Sequence, residues 1–383
     1  MGEQSPKPPS NSRPEAIVAV HMARHVTVTA ADLSAGVVPH FEDWLHNSHV
    51  VEYKIVIPSF NRPRLLCETT LQLLKRQGIP LGRVAVFVAP VTVRGQHDPE
   101  WARYLRELRE HDMLAVHLLP GGEGLEQQMA KAMAWVGSGY FITMSDTVRE
   151  VRMKKANRGS STNKLKPMPV GMLQALFSHG RSMLAAGDFV AWSVNPCHNG
   201  LRMTENTVSR KLGLLDGNLT GMILPSDWME LRVADGHGLI YDVELSVKLW
   251  ARGHRFCRYM NVCADHTYRR PGGQATLFDS ALCRRQREDD VLQQVASEYR
   301  ELLSWKRDDQ TSLKNMQYHF HSVGPSPLRL ARKTHSSNGR DCENFALRPM
   351  TAAERKRKQR RGSPLAVAQR GGQHGNRNAG KTP

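Results

Sequence analysis

The protein has 383 residues and a mass of 43.1 kDa, and its 53 Lys and Arg against 36 Asp and Glu give a formal net charge of +17. Hydrophobic residues make up 40% of the chain, which is enough for a buried core and excludes a fully disordered or fibrous protein. No apolar run reaches about 18 residues, and the N-terminus lacks a signal-peptide pattern, so we expect neither a membrane protein nor a secreted one.

Most of the positive charge lies near the C-terminus. Residues 306–383 contain 17 Lys and Arg but 5 Asp and Glu, and they contribute +12 of the total. Within them, residues 355–361 form a basic run typical of nuclear import or of contact with a DNA backbone, although a solvated charged tail explains the run equally well. Composition therefore predicts a partly disordered arm over 1–50, one folded domain over 51–305 and a largely disordered extension over 306–383.

The six cysteines are far apart and include no C-x-x-C pair. This spacing argues against a structural zinc site, and reduced thiols are typical of cytosolic or nuclear proteins. We therefore expect a nuclear or cytoplasmic protein.

Short apolar runs alternate with helical patterns in the first half of the folded region. The runs that predict strands are Tyr53–Ile57, Val84–Ala89, Met113–Leu119 and Tyr140–Met144. The segments that predict helices are Arg64–Gln77, Trp101–Glu110 and Leu125–Trp135. Strands that alternate with helices of this length predict parallel βαβ units in an α/β sheet.

Ligands of such sheets bind beyond the carboxyl ends of the strands. The candidate ligand-binding residues at these ends are Pro58, Ser59, Asn61, Arg62, Gly124 and Gln128. The chain has no G-x-G-x-x-G fingerprint after its first strand and no G-x-x-x-x-G-K-[ST] loop, which disfavours a dinucleotide-dependent oxidoreductase and a P-loop nucleotidase.

Three segments carry a resemblance to a known family. The segment YKIVIPSFNRP, with the helix LLCETTLQLLKRQGIP and the strand VAVFVAP, resembles the nucleotide-sugar half of GT-A glycosyltransferases. DVELSVKLWARGHRF is similar to their acceptor-side helix, and DHTYRRPGGQ to their closing segment. More narrowly, the set resembles the TET/JBP-associated glycosyltransferases, which are linked to sugar addition on hydroxylated pyrimidines in DNA. The resemblance implies a Rossmann-type mixed sheet flanked by helices, in a single catalytic domain.

The resemblance also implies a donor and a metal. It implies a nucleotide sugar, a UDP-sugar above all, with Mn²⁺ or Mg²⁺ held by a D-x-D type motif after the fourth strand. Here that motif reads Ser145-Asp146-Thr147, so one carboxylate remains, and Asp146 could equally be a turn-forming or capping residue. His266 is the nearest further metal ligand or phosphate contact, unless it is structural, and Arg269 could neutralise the diphosphate.

The same resemblance implies a catalytic base that removes a proton from the acceptor hydroxyl. The family position falls on Asp242, with Glu244 two residues further on. On a helix these side chains point in different directions, so we expect one of them to face the site, and Asp242 is the better match. An ordinary helix N-cap explains Asp242 equally well.

Two other functions stay open. Because the acidic motif is degenerate, the domain could be a glycosyltransferase-like binding or regulatory module without chemistry. A nucleotidyltransferase is disfavoured, because no Gly-rich segment with Arg and Lys follows the first strand. Trp192, Asn195 and Asn199 are candidates for sugar or acceptor contacts, with core packing and turn formation as the alternatives. The sequence does not indicate an oligomeric state.

Overall fold

The structure is a computed structural model that describes residues 30–39, 51–89, 100–154, 165–187, 189–266, 273, 278, 280–306, 317–321, 324 and 328–331. The chain divides into two units, residues 1–333 and 334–383. All described residues belong to the first unit. The basic run 355–361, Arg269 and most of the N-terminal arm lie outside the described residues.

Eight α-helices occur in the described residues. They are α1 (Ala30–Ala35), α2 (Pro63–Leu66), α3 (Gln72–Arg76), α4 (Glu100–Glu110), α5 (Leu125–Val136), α6 (Met172–Ala186), α7 (Tyr241–Ala251) and α8 (Ala281–Glu298). A π-helical segment, Cys67–Leu71, joins α2 to α3, so the helix predicted over Arg64–Gln77 is present with a widened turn in its middle. Short 3₁₀ turns lie at Leu81–Arg83, Trp228–Leu231 and Gly238–Ile240.

The described strands number fifteen. They are β1 (Val37–Pro39), β2 (Lys54–Ser59), β3 (Val84–Val88), β4 (His117–Pro120), β5 (Tyr140–Met144), β6 (Val148–Met153), β7 (Lys166–Pro167), β8 (Phe189–Val194), β9 (Thr207–Ser209), β10 (Leu219–Ile223), β11 (Arg255–Tyr259), β12 (Val262–His266), β13 (Leu303–Lys306), β14 (Gln317–Phe320) and β15 (Leu328–Ala331).

The main sheet is mixed, with the order β1-β15-β9-β11-β8-β10-β5-β2-β3-β4. Strands β5, β2, β3 and β4 run parallel, while β10 pairs antiparallel with both β5 and β8. The prediction of a mixed α/β sheet flanked by helices is therefore confirmed. Strands β1 and β15 add residues 37–39 and 328–331 to the edge of the sheet, so the sheet extends beyond residues 51–305.

Two smaller sheets accompany the main one, β12-β6-β7 and β13-β14. Strand β6 follows β5 after three residues, so the chain leaves the main sheet for the first small sheet in the turn Ser145–Thr147. This turn carries the one carboxylate of the degenerate acidic motif.

The central strands bury both of their faces. Ile55 and Ile57 of β2 belong to one hydrophobic cluster and Val56 to a second one, because successive side chains of a strand point to opposite faces. Each of these side chains is fully buried, and burial of one contributes about 1.5–3 kcal/mol to folding. A short, continuous apolar run is what a strand covered on both faces requires.

One predicted strand was wrong in its bounds. The apolar run Met113–Leu119 forms a strand only over β4, His117–Pro120. The backbone N–H of Met113 donates to Leu108 O, and that of Val116 donates to Met113 O, so the first half of the run closes the end of α4 in turns. Met113 and Val116 are still buried, which is why their hydrophobicity mimicked a strand.

No helix among the described residues is both long enough and apolar enough to cross a membrane.

Candidate active site

The turn after β2 is fixed by helix α4. Asn61 has a φ of 54°, in the left-handed region that asparagine tolerates better than most residues. Its backbone N–H donates to the Glu100 carboxylate, and its side-chain oxygen accepts a hydrogen bond of 2.8 Å from Arg103. The turn therefore holds the next residue, Arg62, at the carboxyl edge of the sheet.

Asp146 lies in the turn between β5 and β6 with its side chain buried. Its Oδ2 accepts a hydrogen bond of 2.7 Å from Ser59 Oγ, and its Oδ1 accepts one of 3.3 Å from Arg62 Nη1. Burial raises the pKa of Asp146, while the positive charge of Arg62 and the hydrogen bond from Ser59 oppose the rise. Because β2 and β5 are neighbouring parallel strands, their ends bring together residues 87 positions apart.

Tyr104 of α4 extends this network. Its Oη lies 2.7 Å from Ser59 Oγ and accepts a hydrogen bond of 3.3 Å from the Arg62 backbone N–H. The Tyr104 hydroxyl also hydrogen-bonds to the Glu100 carboxylate, so Tyr104 links Glu100 to Ser59. Tyr104 is fully buried. The Asp146 carboxylate is therefore held by a chain of side chains from β2 and α4.

A pocket of about 220 Å³ opens beside Asp146. Its lining residues are Pro58, Phe60, Arg62, Glu123, Leu125, Gln128, Ser145, Asp146, Gly273 and Arg284. The sequence predicted Pro58, Arg62, Gln128 and Asp146 as binding residues, whereas Leu125 and Arg284 were missed. Ligand pockets typically measure roughly 300–1,000 Å³, so this space suits one part of a larger ligand.

Helix α5 forms one wall of the pocket with its N-terminal end. Leu125 is its first residue, and Gln128 donates a hydrogen bond of 3.3 Å from Nε2 to Ser59 O. Gly124 is the N-cap residue and has no side chain to occupy the helix end. Backbone N–H groups at the start of a helix attract anions, while the Glu126 carboxylate of the first turn lies against Gly124 and offsets part of this potential.

Residue 273 forms part of the opposite wall. The Gly273 backbone N–H donates a hydrogen bond of 2.8 Å to Phe60 O, and its φ of 62° favours glycine. A Cβ at this position would lie 2.5 Å from the Arg62 guanidinium carbon. The absence of a side chain at Gly273 therefore leaves room for the Arg62 guanidinium. The neighbouring Arg269 lies outside the described residues.

A short loop connects the pocket to the predicted base. Ser145, which lines the pocket, donates its backbone N–H to Asn218 O at 3.2 Å. The neighbouring Gly217 donates its backbone N–H to the Asp242 carboxylate. The loop 216–218 precedes β10, which pairs directly with β5. Asp242 is therefore two hydrogen bonds away from the pocket wall.

Asp242 has a near-neutral pKa. Burial and the negative charge of Asp216 raise the pKa of Asp242 to about 7. Burial also raises the pKa of Asp216 to about 6, against hydrogen bonds from Asn218 at 3.2 Å and 2.6 Å. The Asp216 Oδ2 atom is buried and has no hydrogen-bond partner among the described residues. Sequence reasoning missed Asp216, because its relevance depends on its proximity to Asp242 in the folded chain.

The helix-capping alternative for Asp242 is wrong. Helix α7 begins at Tyr241, and Ile240 is its N-cap residue. Asp242 is therefore the second residue of the helix, and its carboxylate accepts from Gly217 of another segment.

Glu244 points away from Asp242 and forms ion pairs and hydrogen bonds in the protein interior. Its carboxylate lies 2.6 Å from His237 Nδ1 and 2.7 Å from Lys248 Nζ, and it accepts a hydrogen bond of 3.1 Å from the Ala234 backbone N–H. The side chain is 2% exposed. These contacts fit a brace between α7 and the preceding loop, and the role of base predicted for Glu244 has no support in them.

His266 ends strand β12. Its ring contacts His198 edge-to-face, with 5.1 Å between ring centroids, and burial lowers the pKa of His266. It pairs with Val148 of β6, two residues beyond Asp146, but it does not line the described pocket.

A divalent metal does not fit the described donor set. Mn²⁺ and Mg²⁺ favour several oxygen ligands, some of them charged. Asp146 already binds Arg62 and Ser59, while the hydroxyls of Ser145 and Thr147 hydrogen-bond to each other at 3.0 Å. Within the described ranges, no group of three His, Cys, Asp or Glu side chains is placed to bind a metal. The predicted pair of metal ligands, Asp146 and His266, is therefore not assembled into such a group.

The aromatic and amide contacts predicted near β8 are structural. Trp192 is fully buried and donates a hydrogen bond of 2.8 Å to Tyr140 Oη. Asn195 donates to Met260 O and accepts from the Cys197 backbone, as in a turn. Asn199 accepts from the Leu201 backbone in the same way. The core-packing and turn alternatives are thus correct for Trp192 and Asn195.

Comparisons with known proteins give weak similarities. No protein-family model and no curated protein matches the chain. Among solved structures, it is similar to a mannosyltransferase from Pyrobaculum calidifontis in complex with GDP-Man and Mn²⁺, with 15% identity and a TM-score of 0.34 over 60% of this chain and 64% of that chain. The chain thus spans less than two thirds of that protein.

Two other solved structures show similarities of the same order. One is glucosyl-3-phosphoglycerate synthase from M. tuberculosis, with 11% identity and a TM-score of 0.34 over 80% of this chain and 96% of that chain. The other is a cytidylyltransferase from Leptospira borgpetersenii, with 11% identity and a TM-score of 0.33 over 65% of this chain and 95% of that chain. Identities and TM-scores this low assign neither a family nor an activity to the chain.

Proposed function

We propose that this protein is a glycosyltransferase that moves a sugar from a nucleotide-sugar donor to a hydroxyl group of an acceptor. The observation that carries the proposal is the connection between a charged pocket at the ends of β2 and β5 and a carboxylate of near-neutral pKa. The connection runs from Ser145 through the loop 216–218 to Asp242.

The pocket suits the diphosphate end of the donor. Arg62 and Arg284 line it, and guanidinium groups bind phosphate oxygens in pairs of hydrogen bonds. The N-terminus of α5 adds backbone dipoles directed at the same space. Pro58, Phe60 and Leu125 add apolar surface for a sugar or a base ring. A UDP-sugar is the donor that the sequence resemblance favours.

Asp242 suits the role of general base. In a direct displacement, the acceptor oxygen attacks the anomeric carbon, the bond from that carbon to the diphosphate oxygen breaks, and the nucleoside diphosphate leaves with the bonding electrons. The proton of the acceptor hydroxyl passes to the Asp242 carboxylate. A base with a pKa of about 7 is partly deprotonated at neutral pH yet basic enough to accept this proton.

A hydroxylated pyrimidine in DNA is the finer proposal for the acceptor. Its support is the sequence resemblance to the TET/JBP-associated group and the basic run 355–361, which lies outside the described residues. A contact of this run with the DNA backbone would weaken steeply as salt concentration rises. Deletion of residues 334–383 tests whether DNA binding depends on the tail alone.

A binding module without chemistry is the second candidate. The specific observation in its favour is that the Asp146 carboxylate is already bound by Arg62 and Ser59. Such a module would bind a nucleotide sugar without cleaving it into sugar and nucleoside diphosphate.

One experiment separates these functions. The full-length protein is incubated with UDP-glucose, UDP-N-acetylglucosamine or GDP-mannose and with DNA that contains hydroxymethylcytosine, and both the released diphosphate and the nucleosides are measured by mass spectrometry. We expect transfer that is lost in Asp242→Asn and kept in Asp235→Asn, an exposed carboxylate on the neighbouring loop. Donor binding without product would favour the binding module, and no binding of any donor would reject both functions.

A further inference from the structure

We propose that Arg62 provides the counter-charge for the donor diphosphate, so that the pocket binds a nucleoside diphosphate in the absence of a divalent cation. The inference rests on the proposed function and names the cationic group of the same site.

The first argument is the position of Arg62. Its side chain lines the pocket, 17% exposed, and its Nη1 lies 3.3 Å from Asp146 Oδ1. The guanidinium thus lies beside the acidic turn, and Arg62 and Asp146 both line the pocket. A cation bound by Asp146 on the pocket side would occupy the same region. Arg62 therefore fills the position that the degenerate motif would otherwise offer to a metal.

The second argument is that two separate segments hold the guanidinium in place. Asp146 binds it from the turn after β5, and Gly273 lies against it from the closing segment. Any side chain at residue 273 would bring its Cβ within 2.5–2.9 Å of the guanidinium atoms. The backbone of Arg62 is fixed as well, because its N–H donates to the buried Tyr104 hydroxyl. A preorganised cation loses little conformational entropy when an anion binds.

The third argument is the balance of charge around the pocket. The cationic groups are Arg62, Arg284 and the N-terminal end of α5. Of the two carboxylates, Glu123 is exposed to solvent, and Asp146 is buried against Ser59 and Arg62. Solvent screens the exposed charge, whereas the partly buried Arg62 acts on a ligand at lower effective dielectric constant. Arg62 and Arg284 are each paired with a carboxylate, of Asp146 and Glu288, so the attraction of the pocket for an anion would come from guanidinium hydrogen bonds and the α5 backbone dipoles and not from an excess of positive charge.

The composition of the acidic turn also argues that the pocket binds a diphosphate without a divalent cation. Asp146 is its one carboxylate, and the Ser145 and Thr147 hydroxyls bind each other. Neutral hydroxyls add no charge to hold a hard cation, so the turn would bind Mn²⁺ or Mg²⁺ weakly. In this interpretation Asp146 is a positioning residue, which orients Arg62.

Calorimetric titration of the full-length protein tests the inference. UDP and GDP are the probes, each titrated once in buffer with EDTA and once in buffer with Mn²⁺. We expect one of them to bind in EDTA, and we expect Mn²⁺ to change its Kd by less than about tenfold, a change of 1.4 kcal/mol. Arg62→Met should weaken binding about 10- to 100-fold, in line with the loss of charged hydrogen bonds.

Two further variants control for misfolding and for the loss of an arginine outside the pocket. Arg62→Met leaves Asp146 buried without its cation, so the double variant Arg62→Met/Asp146→Asn removes both charges and protects the fold. Arg64→Met is the matched control, because Arg64 is exposed, pairs with Glu68 and does not line the pocket. We expect the double variant to bind the probe weakly and the control to bind it like the wild type.

The outcomes distinguish this inference from the proposed function. Binding that requires Mn²⁺ would overturn the inference and leave the proposed function in place. Binding in EDTA that survives Arg62→Met and the double variant would overturn the inference as well. Failure of both probes to bind in either buffer would overturn the proposed function itself.

Discussion

Gly217 donates its backbone N–H to the carboxylate of Asp242, and its missing side chain leaves the space in which that carboxylate lies. A Cβ at residue 217 would overlap both oxygens of Asp242. The two residues belong to the loop before β10 and to helix α7, so this contact sets the position of the proposed base relative to the sheet.

Gly217→Ala should displace Asp242 and lower the rate of sugar transfer while nucleotide binding is kept. A misplacement of about 1 Å of a catalytic group costs on the order of 100-fold in rate. Transfer rate and donor affinity are measured on the same preparation. Gly82→Ala is the control, because nothing lies within 4 Å of a Cβ at Gly82. Equal rates for both variants would contradict the position assigned to the base.

The rate of transfer should fall as the pH drops below about 7, because Asp242 must be deprotonated to accept the acceptor proton. Asp216→Asn removes a neighbouring negative charge, so the pKa of Asp242 should fall and the acidic limb should move to lower pH. The new side chain can still accept the hydrogen bonds from Asn218. A pH–rate profile measures the shift, with Asp235→Asn as control, and an unmoved limb would argue against the coupling of the two carboxylates.

Asp242→Asn should stabilise the protein at pH 8 while it abolishes transfer. The folded state raises the pKa of Asp242 from an unfolded value of about 3.9 to about 7, so it binds the proton more tightly and loses stability as pH rises through that window. An uncharged amide removes this cost, roughly 1–3 kcal/mol once partial exposure is allowed for. Urea unfolding at pH 8 and pH 4 measures the gain, which should vanish at the lower pH.

Glu244→Gln should lower the free energy of unfolding and leave the rate of sugar transfer per folded molecule unchanged. The carboxylate compensates Lys248 and contacts His237, and the removal of one member of a buried ion pair costs about 3–5 kcal/mol. Urea unfolding and the transfer rate per folded molecule are the measurements. A folded Glu244→Gln protein without transfer would restore Glu244 as the base.

Ser59→Ala should lower the free energy of unfolding by about 1–3 kcal/mol, because Asp146 and the Tyr104 hydroxyl each lose a hydrogen bond. Ser297→Ala is the matched control, since the Ser297 hydroxyl bonds Gln293 O on the exposed face of α8. Its effect should stay within about 0.5 kcal/mol. Equal effects of the two changes would show that the network around Asp146 contributes little.

The order of the central elements could be predicted from local patterns. Tyr140–Met144 is a strand with the predicted bounds, and Leu125–Val136 extends the predicted helix by one residue. In both segments the pattern of hydrophobic residues matches the positions that are buried in the fold. The strand predicted to begin at Met113 was wrong, because burial alone does not distinguish a strand from a turn that closes a helix.

The candidate site could be predicted only in part. Arg62 and Asp146 were found because they follow strands, where ligands of parallel sheets bind. Asp216 and Arg284 lie far from any recognised motif, and their relevance depends on contacts across more than 20 residues of sequence. The bond between Arg62 and Asp146 was not predictable either, since it joins two loops that meet only when β2 and β5 pair.

The sequence by itself determined the α/β class, the location of the strand ends and the concentration of positive charge in residues 306–383. These properties follow from local hydrophobic periodicity and from composition. Only the tertiary structure decided that Asp146 binds Arg62, that Glu244 braces α7, and that Asp242 titrates near pH 7. Charge–charge contacts and desolvation depend on which segments lie together in the folded chain. Local sequence patterns do not specify these long-range contacts.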